Sequence, residues 1–365
     1  MNQRIDSIEM IRGLAILGVV GIHTGSFMTA DPSANIHLFA LLEIISRFSV
    51  PIFFFASAFS LFRQYPLNQP FDAGRFYRRR LTRVLFPYIA GSILYMLHYS
   101  YLTADWSIWF PILIYQFFFF GMACYQLYFL VILLWFYLLM PLWRLWVRRI
   151  VRNPAVWLCL LFFGQMAFNY YSSYQLRPTF THFYVNLMVQ YRMSWWLLHY
   201  LFLFLLGGVV AVRYEETMAL LRRLRRPVQF FFVLSMASML GHYYYLLFSR
   251  HYSLEQTVNT VHQLSPAGML YTLAACLYFL LRFESPSPSP VSRALKLMGR
   301  HSYGVFWIHP VFMHYFHEWL TAMGGSMTVP VTLLFYTATV AASLGVTRMT
   351  VALRRWFQSR KDNFA

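Results

Sequence analysis

Ile8-Glu9-Met10-Ile11-Arg12-Gly13-Leu14-Ala15-Ile16-Leu17-Gly18-Val19-Val20-Gly21-Ile22-His23-Thr24-Gly25-Ser26-Phe27 is an apolar run that reads as one membrane-spanning helix. It carries an arginine and a histidine eleven residues apart, Arg12 and His23. Eleven steps of about 100° return a helix to nearly the same direction, so both side chains share one face. A rise of about 1.5 Å per residue separates them by roughly 16 Å, about half of a hydrocarbon core roughly 30 Å thick. Ionisable groups on a membrane helix are costly and normally face a protein interior or a watery cavity. The stretch therefore predicts a bundle of spans with a site running across the membrane.

Composition points the same way. The chain has 365 residues, of which 59% are hydrophobic, 20% aromatic and only 12% charged, and its mean hydropathy is +0.49. That balance argues against a soluble domain and for an all-α, polytopic transmembrane helical bundle. The net charge of +18 would suit a nucleic-acid binder, but the apolar content argues against that partner, and membrane orientation accounts for the charge. Cys124, Cys159 and Cys276 all lie in apolar runs with no useful mutual spacing. They read as buried fillers, not as a disulfide framework or a metal site. The first run follows Arg4, Asp6 and Glu9, so it reads as a retained span rather than a cleaved signal.

Runs suited to spanning occur near 8–27, 37–62, 84–103, 126–143, 154–171, 195–212, 228–248, 265–281, 302–320 and 329–350, which predicts about ten spans. With both termini cytoplasmic, only Arg177, Arg192 and Arg250 of the 30 Lys and Arg residues fall in outer loops, and Arg12 and Arg47 lie within spans. This is a positive-inside pattern. Trp109 to Ala123 is apolar enough to span, but counting it would invert the loops carrying Arg144, Arg148 and Arg149. It is read as a membrane-embedded or interfacial helix on the outer side. Residues 1–350 are expected to form a single transmembrane domain and 351–365 a basic cytoplasmic tail. Ser285-Pro286-Ser287-Pro288-Ser289-Pro290 reads as an extended polyproline-like spacer.

Four segments carry a family resemblance. The start, Arg4-Ile5-Asp6 through Arg12-Gly13 to His23, resembles the opening of the membrane-bound acyltransferase 3 family, whose R-x-D-x-x-x-x-R-G stretch appears here with five residues between Asp6 and Arg12, and whose Arg-x10-His pair is present. Val50-Pro51-Ile52-Phe53-Phe54-Phe55-Ala56-Ser57-Ala58-Phe59 is similar to its V-P-x-F-F-x-x-S-G-F segment, with Ala58 at the usual glycine. Arg80-Leu81-Thr82-Arg83-Val84-Leu85-Phe86-Pro87 resembles its R-x-x-R-x-x-x-P box, and Ser302-Tyr303-Gly304-Val305-Phe306-Trp307-Ile308-His309 its S-Y-x-x-Y-L-x-H element. Gln126-Leu127-Tyr128-Phe129 stands where many members have His-Leu-Trp-Phe. The order and spacing fit along the whole chain. The resemblance implies a core of ten spans and transfer of an acyl group, most often acetyl, from cytoplasmic acyl-CoA to a hydroxyl acceptor.

The same residues can be read for their chemistry. A neutral imidazole at His23 can take the proton of a hydroxyl and activate it towards a thioester carbonyl; the alternative is a packed histidine bonded to a neighbouring helix. Arg12 can place a charged donor group or hold Asp6, Glu9 or Glu43 as a counter-ion; the alternative is snorkelling to the inner surface. Arg80 and Arg83, at i and i+3, match phosphate geometry, whereas Arg75, Arg78 and Arg79 read as orientation and lipid anchors. Glu43 and Arg47, at i and i+4, form a pair that either lines the cavity or locks helices. Ser302 is expected to cap the ninth span, with Tyr303 and His309 as inward-facing polar residues around the site. His314 and His317 have metal-ligand spacing but no third ligand, so they read as interfacial.

The expected function is an integral-membrane O-acyltransferase of the cell inner membrane. The resemblance implies acyl-CoA (acetyl-CoA) as donor substrate, no bound cofactor, and a glycan or other hydroxyl compound as acceptor, with the lipid bilayer as surroundings; the oligomeric state is left open. A transporter or flippase for a glycan or lipid-linked sugar shares the polar stripe and aromatic richness but consumes no thioester. A structural partner of a polysaccharide synthase would need neither Arg80 nor Arg83 for activity.

Overall fold

The computed structural model describes residues 6–285 and 288–362, with side chains to 359. Arg4, Pro286, Ser287 and residues 363–365 lie outside the described residues, so two of the six residues of the expected polyproline-like spacer and the end of the tail do too. The described residues form helices and connecting turns, with no strand among them. Among the described residues, four helices are long and apolar enough to cross a membrane: Asp6–Met28, Ile36–Gln64, Arg225–Ser249 and Val329–Ser359. Two bent pairs raise the number to six if each is one span: Tyr128–Leu138 with Met140–Ile150 at 72°, and Leu197–Val212 with Tyr214–Arg223 at 100°.

The remaining expected spans differ: at 84–103 the helix is Phe86–Thr103, entered from the π-turn Leu81–Leu85, and it is not among the helices long and apolar enough to cross. Pro154–Tyr170 and Pro266–Arg282 have 17 residues each, roughly 26 Å of helix against a core of about 30 Å. The run at 302–320 lies inside the much longer helix Pro290–Ala322, which carries His301, His309, His314, His317 and Glu318. The segment 109–123 contains only a ten-residue helix, Pro111–Phe120, closed by Gly121 at φ +70. That is about 15 Å of rise, half of a hydrocarbon core about 30 Å thick.

The chain divides into two compact units: Met1–Phe53 with Met218–Ala365, and Phe54–Thr217. In the first, Asp6–Met28 packs on Pro290–Ala322 and on the residues around 40–48. Glycines allow the close approach. A Cβ on Gly13 would overlap the Leu295 carbonyl, and one on Gly299 the Glu9 carbonyl. Gly18, Gly21 and Gly25 recur every three or four residues and abut Ser49, Leu42 and Glu43. Helix Ile36–Gln64 is not regular. It runs as a π-turn over Ala40–Ile44 and a 3-10 turn over Ile45–Phe48 before resuming as an α-helix.

The second unit is built on aromatic packing. Phe136 stacks on Phe204 with centroids 4.1 Å apart, and Phe54 lies against Phe129, Phe136 and Tyr200. Gly207 meets the Phe55 carbonyl, and Ala58, fully buried, lies against the same glycine. Arg144, counted from sequence as an inner-loop charge, is buried. It donates to the carbonyls of Tyr65, Pro66 and Gln69 at 2.5, 3.1 and 3.0 Å. It closes the 65–69 turn instead of standing at a surface.

Candidate functional site

The first unit gathers the polar residues of the site from three places in the chain. His23, half-buried on helix Asp6–Met28, stacks on His309 with ring centroids 5.4 Å apart and planes 21° from parallel. His309 is fully buried, and its Nδ1 lies 3.0 Å from the Val305 carbonyl. A carbonyl only accepts, so Nδ1 carries the proton and Nε2 presents a lone pair in the neutral ring. The sequence placed His309 around the site; the structure puts it ring-to-ring with His23.

Arg47 sits in a turn packed against the helix that carries His23, and its position is fixed from two sides. One terminal nitrogen, Nη2, is ion-paired with Glu43 Oε1. The other, Nη1, donates to Gln263 Oε1 at 3.0 Å. Glu43 and Arg47 are nearly enclosed, their side chains 4% and 12% exposed. Glu43 Oε2 and Arg47 Nε are buried with no hydrogen-bond partner. A native structure leaves few buried polar atoms unmet, and each one calls for a reason. Both residues sit in the π and 3-10 turns of their helix, a distortion that recurs at functional sites.

Gln263 was not singled out in the sequence. It lies between helices Leu254–Thr260 and Pro266–Arg282, in a turn that is tightly built. Leu264 N–H donates to His262 Nδ1 at 3.1 Å, Ser265 caps Gly268 at 3.0 Å, and a Cβ on Gly268 would strike the His262 carbonyl. No motif or periodicity marks it, because its partner is 216 residues away.

The carboxylates considered for Arg12 have other cations beside them. Asp6 pairs with Lys296 at 2.5 Å, Glu9 with Arg300 at 3.0 Å, and Glu43 with Arg47. The first two join helices Asp6–Met28 and Pro290–Ala322 near the glycine contacts. Ser302 is not a helix cap. The helix begins twelve residues earlier, where Ser289 accepts from Ser292 N–H, and Ser302 donates to the Gly299 carbonyl at 3.0 Å. Tyr303 does not face inward; it is 45% exposed and packs edge-on against Trp307. His317 packs on Phe27 with centroids 4.7 Å apart.

Arg80 and Arg83 belong to the second unit. Arg80 ends helix Ala73–Arg80, and Arg83 falls in the π-turn Leu81–Leu85. The Arg80 guanidinium lies 5.3 Å from the Phe76 ring centre and 4.9 Å from that of Tyr137, and it donates to Gln64 at 3.3 Å. Arg83 is exposed. Beside Arg80 is a cavity of about 440 Å³, lined mainly by aromatic and aliphatic residues including Tyr77, Tyr88, Phe119, Trp135 and Tyr137. Gln126, at the family's histidine position, donates to the Tyr95 hydroxyl at 3.3 Å.

A second polar cluster in this unit escaped the sequence reading. Arg192, assigned there to an outer loop, is buried and donates to the carbonyls of Ser172, Val189 and Leu176. His199 Nε2 lies 2.9 Å from Ser172 Oγ, and its Nδ1 3.0 Å from the Trp196 carbonyl. Gln165 and Asn169 donate to the His199 carbonyl, and Gln165 accepts from Phe202 N–H.

Among the described residues, four to six helical segments long and apolar enough to cross a membrane, with a polar histidine–arginine–glutamate cluster between helices, are consistent with a membrane protein. The family model of the Acyl_transf_3 acyltransferase domain matches residues 5–348, and the chain belongs to that family. No curated protein and no solved structure matches it.

Proposed function

We propose that this protein is an O-acyltransferase of a bacterial inner membrane, with both termini cytoplasmic. It takes an acyl group, acetyl in the simplest case, from cytoplasmic acyl-CoA and delivers it to a hydroxyl of a cell-surface glycan or related acceptor. His23 is the general base. It removes the proton as the hydroxyl oxygen attacks the thioester carbonyl; the C–O bond forms and the carbonyl electron pair moves to oxygen. Collapse breaks the C–S bond, and the proton returns from the imidazolium to the departing thiolate. Arg12 helps place the donor, and Arg80 and Arg83 take its phosphates, for which guanidinium groups are well matched.

The observation that supports this reading most is the His23–His309 stack, in a chain whose family is one of acyltransferases. The test is turnover of acetyl-CoA by the purified protein in nanodiscs, read as CoA thiol release. We expect release by the wild type and a loss of about 10²–10⁴-fold in His23→Ala, the range of a general base. Arg80→Ala with Arg83→Ala raises KM for acetyl-CoA. A wild type that consumes no thioester points instead to a glycan transporter. Mass spectrometry of surface glycans with and without the protein identifies the acceptor and the acyl group together.

A further inference from the structure

The buried pair Glu43–Arg47 is over-specified for a helix lock. One would be complete with the single intrahelical contact. Here the guanidinium is held on both terminal nitrogens, by Glu43 and by Gln263. The third nitrogen, Nε–H, is buried and unmet, as is Glu43 Oε2. A buried N–H on a cation, without a partner, is a strong hydrogen-bond donor held ready for an anionic acceptor. The turns that carry the pair pack against the His23 helix, where Glu43 abuts Gly25, two residues beyond His23. Polar groups near Arg47 include Gln263 from the 261–265 turn and Glu43 from its own helix, with His309 from Pro290–Ala322 stacked on His23.

We propose that Arg47 stabilises the negative oxygen formed when the acceptor hydroxyl adds to the thioester, and that Gln263 is the positioning residue that aims it. This rests on the acyl-transfer reading above. The oxygen gains its charge as the carbonyl π bond opens and loses it when the C–S bond breaks. Fixed donors at such an oxygen lower the barrier because no reorganisation is needed at the moment of reaction. Gln263 does not touch the reacting atoms. Its Oε1 fixes one edge of the guanidinium, Glu43 fixes the other, and Nε–H keeps its direction.

The test uses full-length protein in nanodiscs with acetyl-CoA as donor and methyl glucoside or water as acceptor. Arg47→Met should lower kcat by about 10²–10³-fold, the range for losing one such donor, with KM for acetyl-CoA changed by less than about threefold. Gln263→Ala should lower kcat by about tenfold, and Gln263→Glu, which keeps an accepting oxygen, should restore it to within about threefold. Arg47→Lys guards against misfolding: it keeps the charge and must melt near the wild type, yet lose about tenfold or more in kcat because it lacks the fork. If Arg47→Met keeps kcat within twofold while His23→Ala is inactive, the acyl-transfer reading stands and this inference falls. A fall in melting temperature and KM together, without the kcat loss, makes Arg47 structural and also overturns it. A wild type that releases no CoA thiol removes the reading and this inference with it.

Discussion

Each of the two compact units buries a polar cluster, and the clusters are finished differently. In the second unit the Arg192 side-chain nitrogens reach backbone carbonyls, and both ring nitrogens of His199 have partners. In the first, the Glu43–Arg47–Gln263 cluster leaves Glu43 Oε2 and Arg47 Nε unmet. Low dielectric makes a satisfied network rigid and an unsatisfied one costly. The Arg192–His199 pair, with its nitrogens met, therefore braces backbone around the π-turn Tyr171–Gln175. The incomplete one keeps hydrogen-bonding capacity in reserve beside a histidine. A cluster's function shows in what it leaves undone.

Substitutions can break that comparison. The largest expected effect is His23→Ala, a loss of about 10²–10⁴ in CoA thiol release with an unchanged melting temperature. Arg192→Met is the counterpart. It strands buried carbonyls and should destabilise the protein by about 3 kcal/mol, seen as a lower melting temperature in detergent, while kcat per folded molecule is kept. If Arg192→Met instead spares stability and removes turnover, the division into brace and site is wrong.

Smaller effects sharpen it. Gly299→Val pushes a side chain into the Glu9 carbonyl and should cost about 1–3 kcal/mol through overpacking. Turnover should fall with it, because helix Pro290–Ala322 carries His309 against His23. The smallest effect is at Asp31, outside the spans. Slight burial works against its charge, but Met327 N–H at 2.5 Å and Ser33 hold its carboxyl below the usual carboxylate range. A folded-state pKa below the unfolded one stabilises the fold above about pH 4 and loses that contribution as acid titrates the folded group. Asp31→Asn should lower the melting temperature slightly at pH 7, by less than about 1 kcal/mol of stability, and the two proteins should converge as pH drops towards 3.

Much of the first unit was legible in the chain. The same-face placement of Arg12 and His23 needs only helical periodicity, and the Glu43–Arg47 contact needs only i, i+4 spacing. Ser302 failed as a cap because the apolar run and the helix do not start together. The Ser289-Pro290 start signal lies ahead of a polar stretch that continues the helix through Gly299 and His301. Arg144 and Arg192 failed as loop charges because their partners are backbone carbonyls, which leave no mark in a sequence.

Local sequence determined that the chain is helical, that apolar segments of membrane-spanning length recur, and which ionisable residues share a face. Those properties depend on hydrophobicity and on a period of 3.6 residues, both readable within one segment. Tertiary structure alone decided that His309 stacks on His23, that Gln263 holds Arg47, and which buried atoms stay unmet. These depend on contacts across some 200–300 residues of chain and on turns wound off the α-helical period, which no local pattern encodes.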